Sequence, residues 1–147
     1  MKDNKLKLVD KNDQKVFSIL LEIQDIINAY LKDGKTDLFK VLKEMGISFG
    51  LDDKFNTPFS ENVLKALLRL KPGEITTYSD LAKSINSKAY RAVGGVLRNN
   101  ALPLIVPCHR VVKKDGKLGG FMGKMDKDWQ TNLKRSLLKL ESNVISD

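Results

Sequence analysis

"TTYSDLAKSINSKAYRAVGGVLRNN", residues 76–100, decides how the chain is built. Thr77 with Asp80 three residues on has the form of a capping box, so a short helix is expected over "SDLAKSI". The polar break "NSK" stops it, and "AYRAVGGVLRNN" starts a second one. Two short helices across a tight turn predict a helix-turn-helix. In the second helix Ala89, Val93, Val96 and Leu97 form the side expected to be buried, while Lys88, Arg91, Gly95 and Arg98 recur at three-and-four spacing on another. That second side is basic and partly bare. Gly94 and Gly95 in mid-helix each cost about 1 kcal/mol relative to alanine. They suit either close helix packing or close approach of a ligand to the backbone, and the flanking Arg91 and Arg98 favour a nucleic acid.

Upstream, "FSENVLKALLRL" (59–70) predicts a helix with Ser60 as N-cap and Phe59, Val63, Leu67 and Leu70 on one face, stopped by Pro72 and Gly73. Further back, "VFSILLEIQDIINAYL" (16–31) places Val16, Ile19, Leu20, Ile23, Ile27 and Leu31 at the spacing of an amphipathic helix. "DLFKVLKEM" (37–45) predicts a shorter one closed by Gly46. "KLKLV" (5–9) alternates like a short strand, and "ISFGLDDKFNTP" (47–58) is turn-rich and ambiguous. Residues 1–57 contain neither cysteine nor histidine, and their charges fall in no pattern that marks a site. They are expected to form a short, helix-rich structural domain, with residues 58–147 carrying the function.

Downstream, "LIVPCHRVV" (104–112) holds the only cysteine and the only histidine of the chain, as neighbours. The apolar run "LPLIV" (102–106) predicts a buried strand whose ladder Pro107 ends, and "RVV" resumes extended structure before the turn "KKDGK". A buried free cysteine can be a small hydrophobe and nothing more. An adjacent imidazole, however, can accept the thiol proton and hold the thiolate, lowering the thiol pKa from its free value near ~8.5. Neighbours on a regular strand face opposite ways, so pairing requires irregular backbone at Pro107 or a bridging water.

A length of 147 residues with 41% hydrophobic content suits a globular protein with one sizeable domain and a smaller N-terminal part. One cysteine excludes an internal disulfide, and with one histidine it excludes the usual structural zinc site. No apolar run approaches the ~20 residues of a membrane span, and the N-terminus lacks a signal-peptide core, so a cytoplasmic location is expected. The net charge is +8, and residues 58–147 hold 16 basic against 8 acidic residues while residues 1–57 are balanced. The excess points to a polyanion partner; a merely solvated lysine-rich surface is the alternative.

"IVPCHRVV", with "TTYSDLA" and "RAVGGVLRNN" before it and "GKLGGF" and "LLKLE" after it, resembles the O6-alkylguanine-DNA alkyltransferases over about Thr57 to Glu141. The resemblance implies an α+β fold: a small N-terminal domain, then a mostly helical, winged helix-turn-helix-like alkyltransferase domain. It implies repair by direct reversal, in which a damaged guanine leaves the duplex and its alkyl group passes irreversibly to Cys108. His109 would act as general base through a water, Glu141 would orient it, and Tyr78 would donate toward the guanine. Arg91 would fill the space of the flipped nucleotide from a helix docked in the minor groove, with Lys88, Gly94, Gly95 and Arg98 on the DNA-binding face. Asn100 would tie that helix to the active-site segment. Leu97 and Pro103 would belong to the pocket, the Val111 carbonyl would accept from guanine, and the loop Gly119, Gly120, Phe121, Met122 and Gly123 would close over the base. Phe121, Met122 and Leu97 stand where many relatives have tyrosine, serine and methionine. The implied partner is double-stranded DNA containing O6-alkylguanine, with O4-alkylthymine as a second candidate substrate, acted on by a monomer without cofactor or metal. Two rival readings are a thiol hydrolase and a non-catalytic alkylated-DNA-binding or winged-helix regulatory protein.

Overall fold

Thr77 caps a helix, as its spacing from Asp80 implies. In the structure, a computed structural model that describes residues 11–124 and 128–141, its hydroxyl oxygen accepts from the Asp80 backbone N–H at 3.1 Å. Helix α4 spans Tyr78–Ser84. Its exit uses Asn86 at φ 56°, a left-handed position that asparagine tolerates, and Ser87 N–H closes back on the Ala82 carbonyl at 2.9 Å. Helix α5 (Tyr90–Arg98) follows, so the helix-turn-helix is formed. Val93 and Leu97 are buried and Val96 packs partly, but Ala89 is exposed, because it is the non-helical cap position ahead of the first turn.

Ahead of this pair, helix α3 (Pro58–Leu68) buries Val63 and Leu67, with Phe59 and Leu70 packed beside them. Its N-cap is Thr57 rather than Ser60. Ser60 lies at the third helical position and closes a capping box, its hydroxyl oxygen accepting from Thr57 N–H at 3.0 Å while Ser60 N–H donates to the Thr57 hydroxyl at 3.1 Å. Pro58 fits the first helical position, where its missing N–H costs nothing.

The run "LPLIV" does not form the expected strand. Leu104 has φ 80°, and Val106 N–H returns to the Leu102 carbonyl at 2.9 Å, so the segment is a tight turn. Prolines at 103 and 107 remove two ladder donors, which leaves apolar content without strand geometry. Extended structure resumes at β2 (Val111–Val112), paired in parallel with β1 (Thr76–Thr77) in the register Thr76↔Val111 and Thr77↔Val112. This short sheet holds the start of α4 beside the Cys108 segment.

The N-terminal part consists of α1 (Lys11–Asp33) and α2 (Leu38–Glu44), and Gly46 ends the latter at φ 81°. The expected strand at 5–9 lies outside the described residues. Along α1 the predicted stripe is mostly uncovered: Ile27 packs on the core, whereas Val16, Ile19, Leu20 and Leu31 are exposed, and the buried face is completed instead by Ile26 and Tyr30, which the stripe did not include. Tyr30, Leu38, Leu51 and Phe55 join one cluster with Val63, Leu67, Leu81, Val93, Leu97, Val106, Val111 and Leu137. Each such aliphatic side chain contributes roughly 1.5–3 kcal/mol on burial. The change of sequence character near residue 57 therefore does not divide the core.

Helix α6 (Trp129–Leu140), capped by Asp128 and Thr131, closes the other side and delivers Glu141 into the interior. The fold is mostly helical with a small sheet. Among the described residues no helix is long and apolar enough to cross a membrane.

Candidate active site

Pro107 breaks the backbone where the pair of interest begins. Cys108–Arg110 form a single 3-10 turn, with Arg110 N–H bonded to the Pro107 carbonyl at 3.1 Å. Successive side chains on such a turn diverge by about 120°, and the two neighbours face different surroundings. Cys108, 6% exposed, lines a cavity of about 860 Å³, while His109, fully buried, is held inside by Glu141.

The cavity wall is built from three elements. Helix α4 contributes Tyr78; α5 contributes Arg91, Gly94, Gly95, Leu97 and Arg98; the segment 113–124 contributes Lys113, Lys114, Gly119, Gly120, Phe121, Met122, Gly123 and Lys124. Five of the lining residues are cationic and none is acidic. Lys88 lies outside the cavity and, contrary to expectation, outside α5: it is exposed in the turn ahead of the Ala89 cap, so it does not share a helical face with Arg91 and Arg98. Pro103 and Val111 do not reach the cavity wall. A methyl group at Gly95 would meet nothing within 4 Å and one at Gly94 only the Tyr78 ring at 3.9 Å, so helix packing does not account for the two glycines. They leave an open groove along a basic helix. Over the cavity, Met122 and Gly123, at φ 51° and 78°, form a tight hairpin turn between Phe121 and Lys124, which exchange two backbone hydrogen bonds.

Asn100, behind the wall, fixes the cysteine. Its side-chain N–H group donates to Cys108 Sγ at 3.2 Å and to the Val106 carbonyl at 3.1 Å, and its oxygen accepts from Leu102 N–H at 3.0 Å. Burial pushes the Cys108 thiol up; the Asn100 donor and the Lys134 ammonium oppose that shift. His109 does not figure among the groups that hold the thiolate. The sequence-based expectation of a thiol lowered by its neighbour is therefore corrected, since the imidazole is itself neutral, driven down by burial against the pull of Glu141.

Lys134 and Arg110 escaped the sequence reading. Lys134, fully buried on α6, donates to the Val111 carbonyl at 2.6 Å and to the Gly120 carbonyl at 3.0 Å. Desolvation pushes it down to about 8, and the Cys108 charge resists. A signal existed: Thr131, Lys134, Leu137, Leu138 and Glu141 share helical spacing, which puts a lysine on the buried face. Arg110, 4% exposed, donates through Nε to Glu141 Oε2 at 2.9 Å, through Nη2 to Oε1 at 2.8 Å, and through Nη1 to the Leu70 carbonyl at 2.8 Å. Glu141 also accepts from His109 Nε2 at 2.9 Å, from Gly73 N–H at 3.2 Å and from the Tyr30 hydroxyl. These donors hold its carboxyl well below the usual carboxylate range despite burial. With the Nε2 proton committed to Glu141, His109 Nδ1 is a buried ring nitrogen with no partner among the described residues. It is a base with nothing yet to accept. Tyr78 stays protonated, raised first by burial and then by Cys108. Together these groups can take a proton from a sulfur, hold the resulting anion, and donate a proton across the cavity.

A family model described as 6-O-methylguanine DNA methyltransferase, DNA binding domain, matches residues 58–143. The chain is similar to the methylated-DNA-protein-cysteine methyltransferase of Methanosarcina mazei, 47% identical over 88 residues covering 59% of this chain and 52% of that protein. It is also similar to two solved structures. One is Mycobacterium tuberculosis OGT in complex with DNA (TM-score 0.51, 41% identity, 58% of this chain and 49% of that one). The other is the O6-methylguanine-DNA methyltransferase from Pyrococcus kodakaraensis (TM-score 0.55, 33% identity, 90% and 63%). The chain spans about half the length of the curated relatives it matches.

Proposed function

The chain belongs to the 6-O-methylguanine DNA methyltransferase family, and on that premise we propose that it repairs DNA by stoichiometric transfer of an alkyl group from O6-alkylguanine to Cys108. One observation carries the reading: the single cysteine stands on the wall of a basic-rimmed cavity, next to a histidine whose free ring nitrogen is the only unpartnered buried nitrogen among the described side chains. Relatives named for the same reaction support it.

At rest the thiol is protonated, because burial raises it. In the proposed step a bridging water carries the Cys108 proton to His109 Nδ1, and Glu141 steadies the imidazolium. The sulfur then attacks the alkyl carbon; the S–C bond forms as the C–O6 bond breaks, and the electron pair remains with guanine. Tyr78 supplies a proton to the departing base and regains one from water as the His109 imidazolium releases the proton it took from sulfur, so in net terms the thiol hydrogen passes to guanine. Lys134 and Asn100 hold the thiolate through the transfer. The thioether product is stable, so each molecule reacts once, and the chemistry draws on no cofactor.

In this reading residues 58–147 are the DNA-binding and alkyltransferase unit, a winged helix-turn-helix-like domain, and residues 1–57 a structural one. Double-stranded DNA lies along α5 with Gly94 and Gly95 against its backbone and Lys88 and Arg98 on its phosphates. Arg91 occupies the place of the extruded nucleotide, and the 119–123 loop closes on the base. O4-alkylthymine is a candidate second substrate for a monomeric, cytoplasmic protein.

The test is incubation with a duplex containing O6-methylguanine followed by peptide mass mapping. A methyl group on the Cys108 peptide, absent from Cys108→Ala, supports the proposal. A salt-sensitive DNA complex with no covalent product replaces it with the non-catalytic binding protein, and a trapped acyl-enzyme with a thiol hydrolase. Arg91→Ala is expected to slow repair of the duplex more than reaction with free O6-benzylguanine; equal losses refute the flipping role.

A further inference from the structure

Glu141 has more donors than a carboxylate comfortably serves. Oε1 accepts from the Tyr30 hydroxyl at 2.5 Å, His109 Nε2 at 2.9 Å and Arg110 Nη2 at 2.8 Å; Oε2 accepts from Arg110 Nε at 2.9 Å and Gly73 N–H at 3.2 Å. A carboxylate offers about four lone-pair sites, so on Oε1 every donor weakens the hold on the others. The shortest of the five bonds comes from α1, the part of the chain whose sequence carries no chemical signal.

We propose that Tyr30 is a positioning residue of the transfer reaction: its hydroxyl shares the Glu141 oxygen that holds His109, and so sets how readily the imidazole takes the Cys108 proton. The inference rests on the function proposed above. Its geometry is locked by backbone contact between the ends of two helices. Gly34, at φ 67°, returns its N–H to the Tyr30 carbonyl at 2.7 Å, and a Cβ there would stand 2.4 Å from the Leu140 carbonyl oxygen. The end of α1 therefore sits directly on the end of α6, and the phenol reaches Glu141 in one register only. Ile26 and Ile27, packed on the core, hold the helix in that place.

The direction of the effect follows from the donors. Removing the hydroxyl leaves four donors on the carboxylate, which stays satisfied, but concentrates its negative charge on fewer bonds. Oε1 then binds the Nε2 proton more strongly and favours the imidazolium. The other charged or titratable groups facing His109 are Arg110 on its own turn and Lys134 from α6, both opposing protonation, together with Glu141 itself; all stay in place in Tyr30→Phe. The phenyl ring retains the buried packing of Tyr30.

His109 is the only histidine, so its NMR signals report its titration without assignment and without substrate. Tyr30→Phe is expected to raise the His109 midpoint by about half a pH unit or more, and to move the acid limb of the methyl-transfer rate profile upward by the same amount. Ile27→Val is the packing control: it lowers the thermal midpoint and leaves the titration where it was. Superimposable titrations of Tyr30→Phe and the unmodified protein overturn the inference, as does an equal shift in Ile27→Val or a histidine that stays neutral in both down to acid unfolding. If the unmodified chain transfers no methyl group at all, the proposed function fails instead, while the titration still decides whether Tyr30 governs His109.

Discussion

Replacing Glu141 by glutamine exchanges one acceptor oxygen for a donor amide in a place surrounded by donors. Either orientation of the new side chain fails. With the amide nitrogen at the Oε1 position it faces Tyr30, His109 and Arg110, and at the Oε2 position it faces Arg110 and Gly73 N–H. Arg110, 4% exposed, also loses its counter-charge. Breaking a buried pair in this way costs about 3–5 kcal/mol. For a chain of this size each kcal/mol lowers Tm by about 2–4 °C, so Glu141→Gln is expected to melt about 6–20 °C lower at neutral pH. The acid side has a defined sign. Because the folded carboxyl is held below its ordinary range, its stabilisation is complete above the unfolded value near ~4.3 and is lost at about 1.4 kcal/mol per pH unit below it. The gap between the two proteins must narrow as pH falls from about 4.3 to about 3. The rate of the proposed methyl transfer is expected to fall by about four orders of magnitude, as when a catalytic histidine loses the carboxylate that fixes its tautomer. Thermal melts across pH with single-turnover transfer form the assay. A variant within about 2 °C of the unmodified protein at neutral pH, or a gap that does not narrow in acid, refutes the account of the cluster.

Four further outcomes are expected. Lys134→Met removes the cation that helps hold the thiolate, so the Cys108 ionisation midpoint, followed by thiolate ultraviolet absorbance, should rise; no movement would show that Asn100 suffices. The same substitution should abolish a gain in stability between pH about 8, where buried Lys134 loses its proton, and about 10.5, where an unfolded lysine does. Gly95→Ala meets nothing within 4 Å, so Tm should rise, by up to about 1 kcal/mol of stability, while duplex affinity should fall if the new methyl group lies in the groove proposed to face DNA; unchanged affinity in a titration counts against that groove. Gly34→Ala, at φ 67° and 2.4 Å from a carbonyl oxygen, should cost more than about 2 kcal/mol in urea unfolding, against about 1 kcal/mol for Gly46→Ala, where φ is 81° but no atom lies within 4 Å.

What could be read in the sequence was what one segment contains by itself. The caps and turns of "TTYSDLAKSINSKAYRAVGGVLRNN" lie within a few residues of the groups they satisfy, and so does the Cys108–His109 adjacency. Thr57 escaped because Ser60 offers the same chemistry three positions on, and a box has two ends. "LPLIV" misled because apolar content reports burial, not backbone geometry, and two prolines had already removed the ladder donors. Lys134 was hidden in plain spacing, since a lysine is assumed to face water unless carbonyls such as those of Val111 and Gly120 wait for it. Tyr30 is the opposite case. Its partner is 111 residues away, and no local pattern distinguishes a tyrosine that packs from one that also donates to Glu141. The donors around Glu141 thus come from groups distant in sequence, gathered because one buried carboxylate needs many of them. In the proposed reaction the cysteine marks where the alkyl group arrives, and by the role proposed for Tyr30 the number of hydrogen bonds on Glu141 decides how strongly the neighbouring base can pull.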